Sequence, residues 1–431
     1  MLKARGYASQ PAVAAAVRSG DTQSTILPNK LVVTSTETGS AISRVSIAVR
    51  AGARNECHDA QGASHIMRIA AGLSTKNASG FGITRSIQQI GGNLSVTSDR
   101  EIIAYTIEVT RDQLENALRI LENAVAGQLF KPWEIEDSLP RVKVDLANVS
   151  DQVRAVEFLH RAAFRTGLGN SLFIPKHKIG KISSETLQHF YSTNFTTSRT
   201  AVAGVNVDHQ IMSGFAQNLA LGSGEGARIE TKYHGGVDAR KEKGGRLASV
   251  AVATAGGSWA NLQEGLAFEI LQYAAGVRPS TKRGAANGSL TKVIQAAAPN
   301  AAVASLNAVY SDNGLFGFVA SGPAKEVGSA VEAGISALKS ASISDEDVAR
   351  GKAGLKADIA FVYGTESSLV QTLAGQSAIL GKAISLKAAF DAVDAVQASD
   401  VKSAACKLSS QKVTVGAVGN LEHVPYAADL N

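Results

Sequence analysis

Ile182-Ser183-Ser184-Glu185-Thr186-Leu187 opens a helical pattern that runs into the apolar stretch Arg199-Thr200-Ala201-Val202-Ala203-Gly204-Val205. In the second half of the 431-residue chain, Val396-Gln397-Ala398-Ser399-Asp400-Val401 leads in the same way into Gln411-Lys412-Val413-Thr414-Val415-Gly416-Ala417. Each copy has a serine placed to cap a helix, an amphipathic spacing, a short turn and a strand that closes on glycine. A unit recurring half a chain later marks a duplicated domain. Two further pairs agree. Val45, Ile47, Val49 and Ala51 alternate before Gly52, and Val250, Val252 and Thr254 alternate before Gly256. Both read as half-buried strands with one more polar face. Leu114, Leu118, Leu121 and Val125 form one helix stripe, and Val327, Val331, Ile335 and Leu338 form another. The expected fold class is α+β, two duplicated domains, each a mostly antiparallel sheet covered by helices on one face. The Gly- and charge-rich stretch Gly222 to Gly245 suits a linker. The expected layout is an N-terminal segment 1–24, a first domain 25–222, a linker 223–245 and a second domain 246–431.

Hydrophobic residues make up 45% of the chain and charged residues 19%, which excludes an intrinsically disordered protein. No apolar run approaches the roughly 18 residues that a membrane-spanning helix needs. The net charge of +6 is mild for this length, and no basic block with interleaved aromatics occurs, which argues against nucleic-acid binding. Cys57 and Cys406 are too few for a disulfide framework. Residues 1–23 carry Lys3, Arg5 and Arg18 among small residues, with no acid before Asp21. That composition suits a mitochondrial transit segment. Arg5-Gly6-Tyr7-Ala8 is similar to the Arg-x-Tyr junction at which matrix presequences are cut.

Gly62-Ala63-Ser64-His65-Ile66-Met67-Arg68-Ile69 should open the first helix after the strand at 45–51. Taken with Leu27-Pro28-Asn29-Lys30-Leu31, Arg50-Ala51-Gly52-Ala53-Arg54-Asn55-Glu56 and Ile90-Gly91-Gly92-Asn93-Leu94-Ser95, it resembles the insulinase/pitrilysin-type metallopeptidases. Arg100-Glu101, Tyr105, Leu159-His160 with Ala162-Ala163-Phe164, and Tyr310-Ser311-Asp312 with Gly314-Leu315-Phe316-Gly317 continue the resemblance. Active members of that family bind zinc through an inverted His-x-x-Glu-His helix motif and a distal Glu. Two histidines four apart share a helix face, and the Glu between them polarises the metal-bound water. Here the first position is His65, the Glu position is Arg68, the second His position is Ile69, and the distal acid falls near Asp145. One ligand cannot hold catalytic zinc, and Arg68 puts a positive charge where the base belongs. The resemblance therefore implies no catalytic residue, no metal and no cofactor, with His65 as a packed helix residue. Cys57-His58 has no further soft ligand at metal-site spacing and reads as a loop. The Gly276–Gly284 stretch lacks phosphate-loop order and falls where noncatalytic relatives carry a Gly-rich loop, which implies a partner contact.

Catalytically empty members of this length fall into two groups. One comprises the core subunits of mitochondrial ubiquinol–cytochrome c reductase, the other the noncatalytic, substrate-binding subunit of the mitochondrial processing peptidase. Gly62-x-Ser64-His65-x-x-Arg68, Thr75-Lys76 followed by Phe81-x-Ile83-Thr84-Arg85, Lys282-Arg283-Gly284 and Gly419-Asn420-Leu421-x-His423-x-Pro425 are most similar to the core-subunit group. That implies a structural and assembly role, peripheral on the matrix side of the inner membrane. The partners it implies are a core 1-like chain, cytochrome b and other subunits of a dimeric complex.

Overall fold

The computed structural model describes residues 22–226, 229–277, 288–340 and 343–430. In the first half, strands β1 (Gln23–Ile26), β2 (Val32–Thr36), β3 (Ile42–Val49), β4 (Asn93–Ser98), β5 (Ile103–Thr110) and β6 (Thr200–Val205) make one sheet. Helices α1 (Ala63–Ala70), α2 (Gly80–Gln89), α3 (Leu114–Ala126), α4 (Pro132–Asn148), α5 (Asp151–Phe164), α6 (Ser184–Asn194) and α7 (His209–Asn218) belong to the same half. The second half runs β7 (Asp238–Glu242), β8 (Leu247–Ala255), α8 (Leu262–Ala275), α9 (Ser289–Ala297), β9 (Ala302–Val309) and β10 (Gly314–Pro323). It continues with α10 (Ala324–Ser340), α11 (Asp345–Gly364), α12 (Glu366–Leu380), α13 (Leu386–Ala395), α14 (Ala398–Ser409), β11 (Thr414–Gly419) and α15 (Ala427–Leu430).

The sheets have the orders β1-β2-β6-β3-β5-β4 and β7-β11-β8-β10-β9, which are the same topology apart from the extra edge strand β1. Both sheets are mixed. Every pairing is antiparallel except β2 with β6 and β7 with β11. The duplication read from the sequence is thus a duplicated fold, with α6–β6 and α14–β11 as the repeated units. Ser183 caps α6 as expected, its hydroxyl accepting the Thr186 N–H at 3.2 Å. In the second copy the cap is Gln397, closed by Asp400, and Ser399 lies inside the helix.

The strands depart from the half-buried expectation for a physical reason. Val45, Ile47 and Val49 face the helices of their own half, with Leu118, Leu121 and Val125 of α3 opposite them. Between them, Ser46 and Ala48 point to the other face, and they are buried as well. That face receives Leu369, Val370, Leu373 and Ala374 of α12, a helix from the other half. The reciprocal holds, because Ala155, Leu159, Ala163 and Phe164 of α5 cover Ala251, Ala253 and Val418 on the second sheet. Small side chains on that face let each crossing helix lie close. Each fully buried Leu or Phe there contributes roughly 1.5–3 kcal/mol of apolar transfer.

The interval expected as a linker also differs. Asp238–Glu242 is β7, pairing in parallel with β11, so the strand begins inside 223–245. Its Asp-Ala-Arg-Lys-Glu sequence hides it, since an edge strand accepts charge. Gln23–Ile26 likewise places β1 inside the segment expected to end at residue 24. Residues 1–21 of the transit-like segment, and 278–284 of the Gly-rich loop, lie outside the described residues.

Candidate functional site

Helix α1 starts from a buried carboxylate. Glu56 accepts the Gly62 N–H at 2.8 Å, the Ser64 N–H at 2.8 Å and the Ser64 hydroxyl at 2.6 Å. It thereby serves the amides that a helix start leaves unpaired. Burial pushes Glu56 up to about 7, against the lowering by those three hydrogen bonds. Gly62 has φ 94°, and a Cβ there would sit 2.6 Å from Ile174, so glycine is required. The Arg50–Glu56 and Gly62–His65 stretches therefore make one capping structure that sets the direction of α1.

His65 on α1 is fully buried. Its Nδ1 accepts the Ile174 N–H at 3.3 Å, which leaves the proton of the neutral ring on Nε2. Nε2 faces Asp145 Oδ2 of α4 at 3.6 Å, beyond hydrogen-bond length, and has no other partner among the described residues. Phe173 stands edge-on to the ring, with centroids 5.8 Å apart. Burial, and then the Arg68 charge, hold His65 below the usual imidazole value. Arg68, one turn along α1, donates to Asp145 Oδ2 at 2.8 Å. Ile69 is buried in the core of the first half.

The structure thus brings together His65, Arg68 and Asp145, as the motif reading required. It does not bring together a metal site. The donor set is one ring nitrogen and one carboxylate already engaged by a guanidinium, with an apolar side chain at the second histidine position. That set does not fit a catalytic zinc, and no base is left to polarise a water. Among the described residues no group of three or more His, Cys, Asp or Glu side chains is placed to hold a metal ion. Cys57 is exposed with a free thiol, beside exposed His58.

Most of the other motif residues meet where the two halves join. Arg54 donates to Glu101 at 2.7 Å and Asp312 at 2.8 Å, to the Ser311 hydroxyl at 3.1 Å and to the Ile229 carbonyl at 3.0 Å. Its cost of burial is offset by the charges of Asp312 and Glu101, and its guanidinium is held above the usual value. Nearby, Arg100 donates to Glu157 at 2.5 Å and to the carbonyls of Leu168 and Asn170. His160 donates from Nδ1 to the Val156 carbonyl at 2.8 Å, and its Nε2 accepts the Tyr310 hydroxyl at 2.9 Å. Burial holds His160 well below its ordinary value, so it stays neutral. The first residue of each crossing helix is also tied by an ion pair. Glu366 of α12 meets Arg44, and Asp151 of α5 meets Lys243 at 2.9 Å. Glu157, Asp151 and Glu366 were not singled out from the sequence. The available signal was Glu157 sharing a helix face with His160 and Phe164.

Two family models match the chain. The insulinase family, peptidase family M16, matches residues 31–176, and the peptidase M16 inactive domain matches residues 181–355. The chain is similar to the mitochondrial cytochrome b-c1 complex subunit 2 of Rattus norvegicus, 35% identical over 94% of this chain and 91% of the relative. The Homo sapiens protein of the same name is 34% identical over 95% and 92%. A probable mitochondrial-processing peptidase subunit alpha-1 of Arabidopsis thaliana is 24% identical over 98% and 86%. With both halves carrying the repeated sheet and α1 carrying the altered inverted motif, the chain belongs to the insulinase family of peptidases, family M16.

Proposed function

We propose that this chain is a non-catalytic structural and assembly subunit of mitochondrial ubiquinol–cytochrome c reductase, peripheral on the matrix side of the inner membrane. The observation that carries this reading is the 35% identity to a cytochrome b-c1 complex subunit 2 along nearly the whole of both chains. The Arg68–Asp145 ion pair beside His65 supports the absence of catalysis, because it occupies the place of a water-activating metal centre. No helix among the described residues is long and apolar enough to cross a membrane. In this reading, attachment to the membrane runs through other subunits. A core 1-like chain and cytochrome b are the partners this reading names. Obligate contacts of that kind bury more than about 2,000 Å² and resist moderate salt.

The test is native electrophoresis of a mild-detergent extract of mitochondrial inner membranes, with identification of every band that contains the chain. Carbonate at high pH should strip the chain from membranes. Mild detergent should keep it with a core 1-like chain and cytochrome b. Recovery with an active zinc processing peptidase alone would favour the substrate-binding subunit of that enzyme instead, in keeping with the 24% relative.

A further inference from the structure

Helix α4 has an inner face that the fold uses and an outer face that it leaves open. Ile135 and Val142 are buried in the core of the first half, and Asp145 turns in to meet Arg68. On the opposite side Trp133, Pro140, Val144 and Ala147 are exposed, Trp133 at 61% and Val144 at 58%. At 3.6 residues per turn these four lie within about 40° of one line along the helix. An apolar stripe rimmed by charge has the form of an association surface.

The rim carries the information about what covers it. Glu136 and Lys143 flank the stripe on one side, Asp137 and Arg141 on the other, and all four are exposed. Among the described residues none of these four forms an ion pair. Each side therefore has its acid before Pro140 and its base after it. A two-fold axis across the helix at Pro140 reverses its direction and keeps each side of the stripe on the same side. Glu136 then meets Lys143 of the other copy, about 6 Å and about 4.5 Å along the axis from the centre. Asp137 falls opposite Arg141 on the second side. Trp133 and Ala147 each lie about 10.5 Å from the centre and meet, a large side chain against a small one. Pro140 meets its own copy, and its compact ring lets the two axes approach. A patch that complements itself under a two-fold axis is what a closed pair of identical chains requires. Parallel packing of the same faces would instead set acid beside acid.

We propose that the outer face of α4 is a self-association surface, on which the α4 helices of two copies of this chain pack antiparallel about Pro140. The inference rests on the pattern of size and charge along α4 and does not depend on the proposed role in the respiratory complex.

One helix pair buries less than a standard interface of about 1,200–2,000 Å², so a dissociation constant of ~10 µM is expected for the purified full chain. Sedimentation velocity from ~1 to ~100 µM brackets that value. Lys143→Glu and Glu136→Lys each turn two attractive pairs into two repulsive ones, and association should weaken about tenfold. Mixing the two variants restores both pairs in the mixed dimer, and the doubly substituted chain restores them in its own dimer. Both should recover the association of the parent. Trp133→Ala should weaken the dimer whatever the charges. These side chains are exposed, so circular dichroism should show the fold retained in every variant. A parent that stays monomeric to ~100 µM overturns the proposal. A dimer indifferent to the single reversals, or reversals that do not recover on mixing, also overturns it, because the contact then lies elsewhere.

Discussion

A guanidinium at position 68 supplies the positive charge that the Asp145 carboxylate would take from a metal in an active relative. The side chains of this pair are each 32% exposed, so it is worth little in stability. Its consequence is chemical: Asp145 is occupied, and His65 is held neutral beside a cation. Changing Arg68→Glu and Ile69→His together restores the inverted motif in sequence, yet we expect no cleavage of a presequence peptide in the presence of zinc. Glu at 68 would lie against Asp145 as a like charge, and Asp145 is one methylene shorter than the glutamate it replaces. Robust cleavage by the double variant would show a more intact site. Glu56 offers a second test. Its carboxyl sits at about 7 in the folded chain against 4.5 when unperturbed. Between those values the folded chain keeps a proton that the unfolded chain has released. Stability from this group is therefore lost as pH rises from 4.5 to 7 and stays lost above. Glu56→Gln removes that slope, so unfolding free energies should move in favour of the variant by up to about 3 kcal/mol across the window. An unchanged difference between variant and parent from pH 4.5 to 7 would show that its three hydrogen bonds hold the buried Glu56 charged, with no upward shift.

At the scale of elements, the contact between α5 and β11 shows what the sequence made legible and what it could not. A Cβ on Gly416 would sit 2.3 Å from the Ala155 carbonyl and 2.4 Å from the Leu159 amide. Gly416→Ala must push helix backbone away from the sheet, and overpacking of this kind costs about 1–3 kcal/mol. We expect a lowered denaturation midpoint with secondary structure retained, checked by circular dichroism in urea. An unchanged midpoint would mean the helix yields freely. The strand at 414–419 and its partner at 200–205 were readable because apolar β-formers closing on glycine recur at matched places. The helix stripes of α3 and α10 were readable because their period is unbroken. The second covered face was not. Ser46, Ala48, Ala251 and Ala253 look like a more polar or neutral face in a linear pattern, whereas they are the small residues a crossing helix needs. Only the arrival of α12 or α5 from far along the chain distinguishes the two, and no local periodicity encodes that. Arg68 was legible because the inverted motif has fixed spacing, and Asp145 only through the family resemblance, as the acid near the distal position. The use of Arg54, Glu101 and Asp312 as interdomain ties was not, since their motif positions say nothing of a contact between halves.

For the molecule as a whole, the exchange of helices means that neither half completes its own core. Removing α12 uncovers Ala48, Ala104, Ala201 and Ala203, and removing α5 uncovers Ala251, Ala253 and Leu315. The halves should therefore open together, although each has the sheet and helices of a domain. Arg54 sits at the centre of this joint, 6% exposed, answering Glu101 from the first half and Asp312 from the second. Arg54→Met keeps much of the apolar stem and deletes the charge, leaving two carboxylates facing each other with little water. Breaking a buried pair from one side typically costs about 3–5 kcal/mol. We expect that loss in global unfolding, and we expect it equally in the slowest-exchanging amides of β3 and β6 and of β8 and β11. Adding Asp312→Asn should recover part of it, because one of the stranded charges is then gone. The measurement is native-state hydrogen exchange read separately on the two sheets of parent, single and double variants. If the loss falls on one sheet and spares the other, the halves are independent domains in contact, and the crossing helices are coverings rather than couplings.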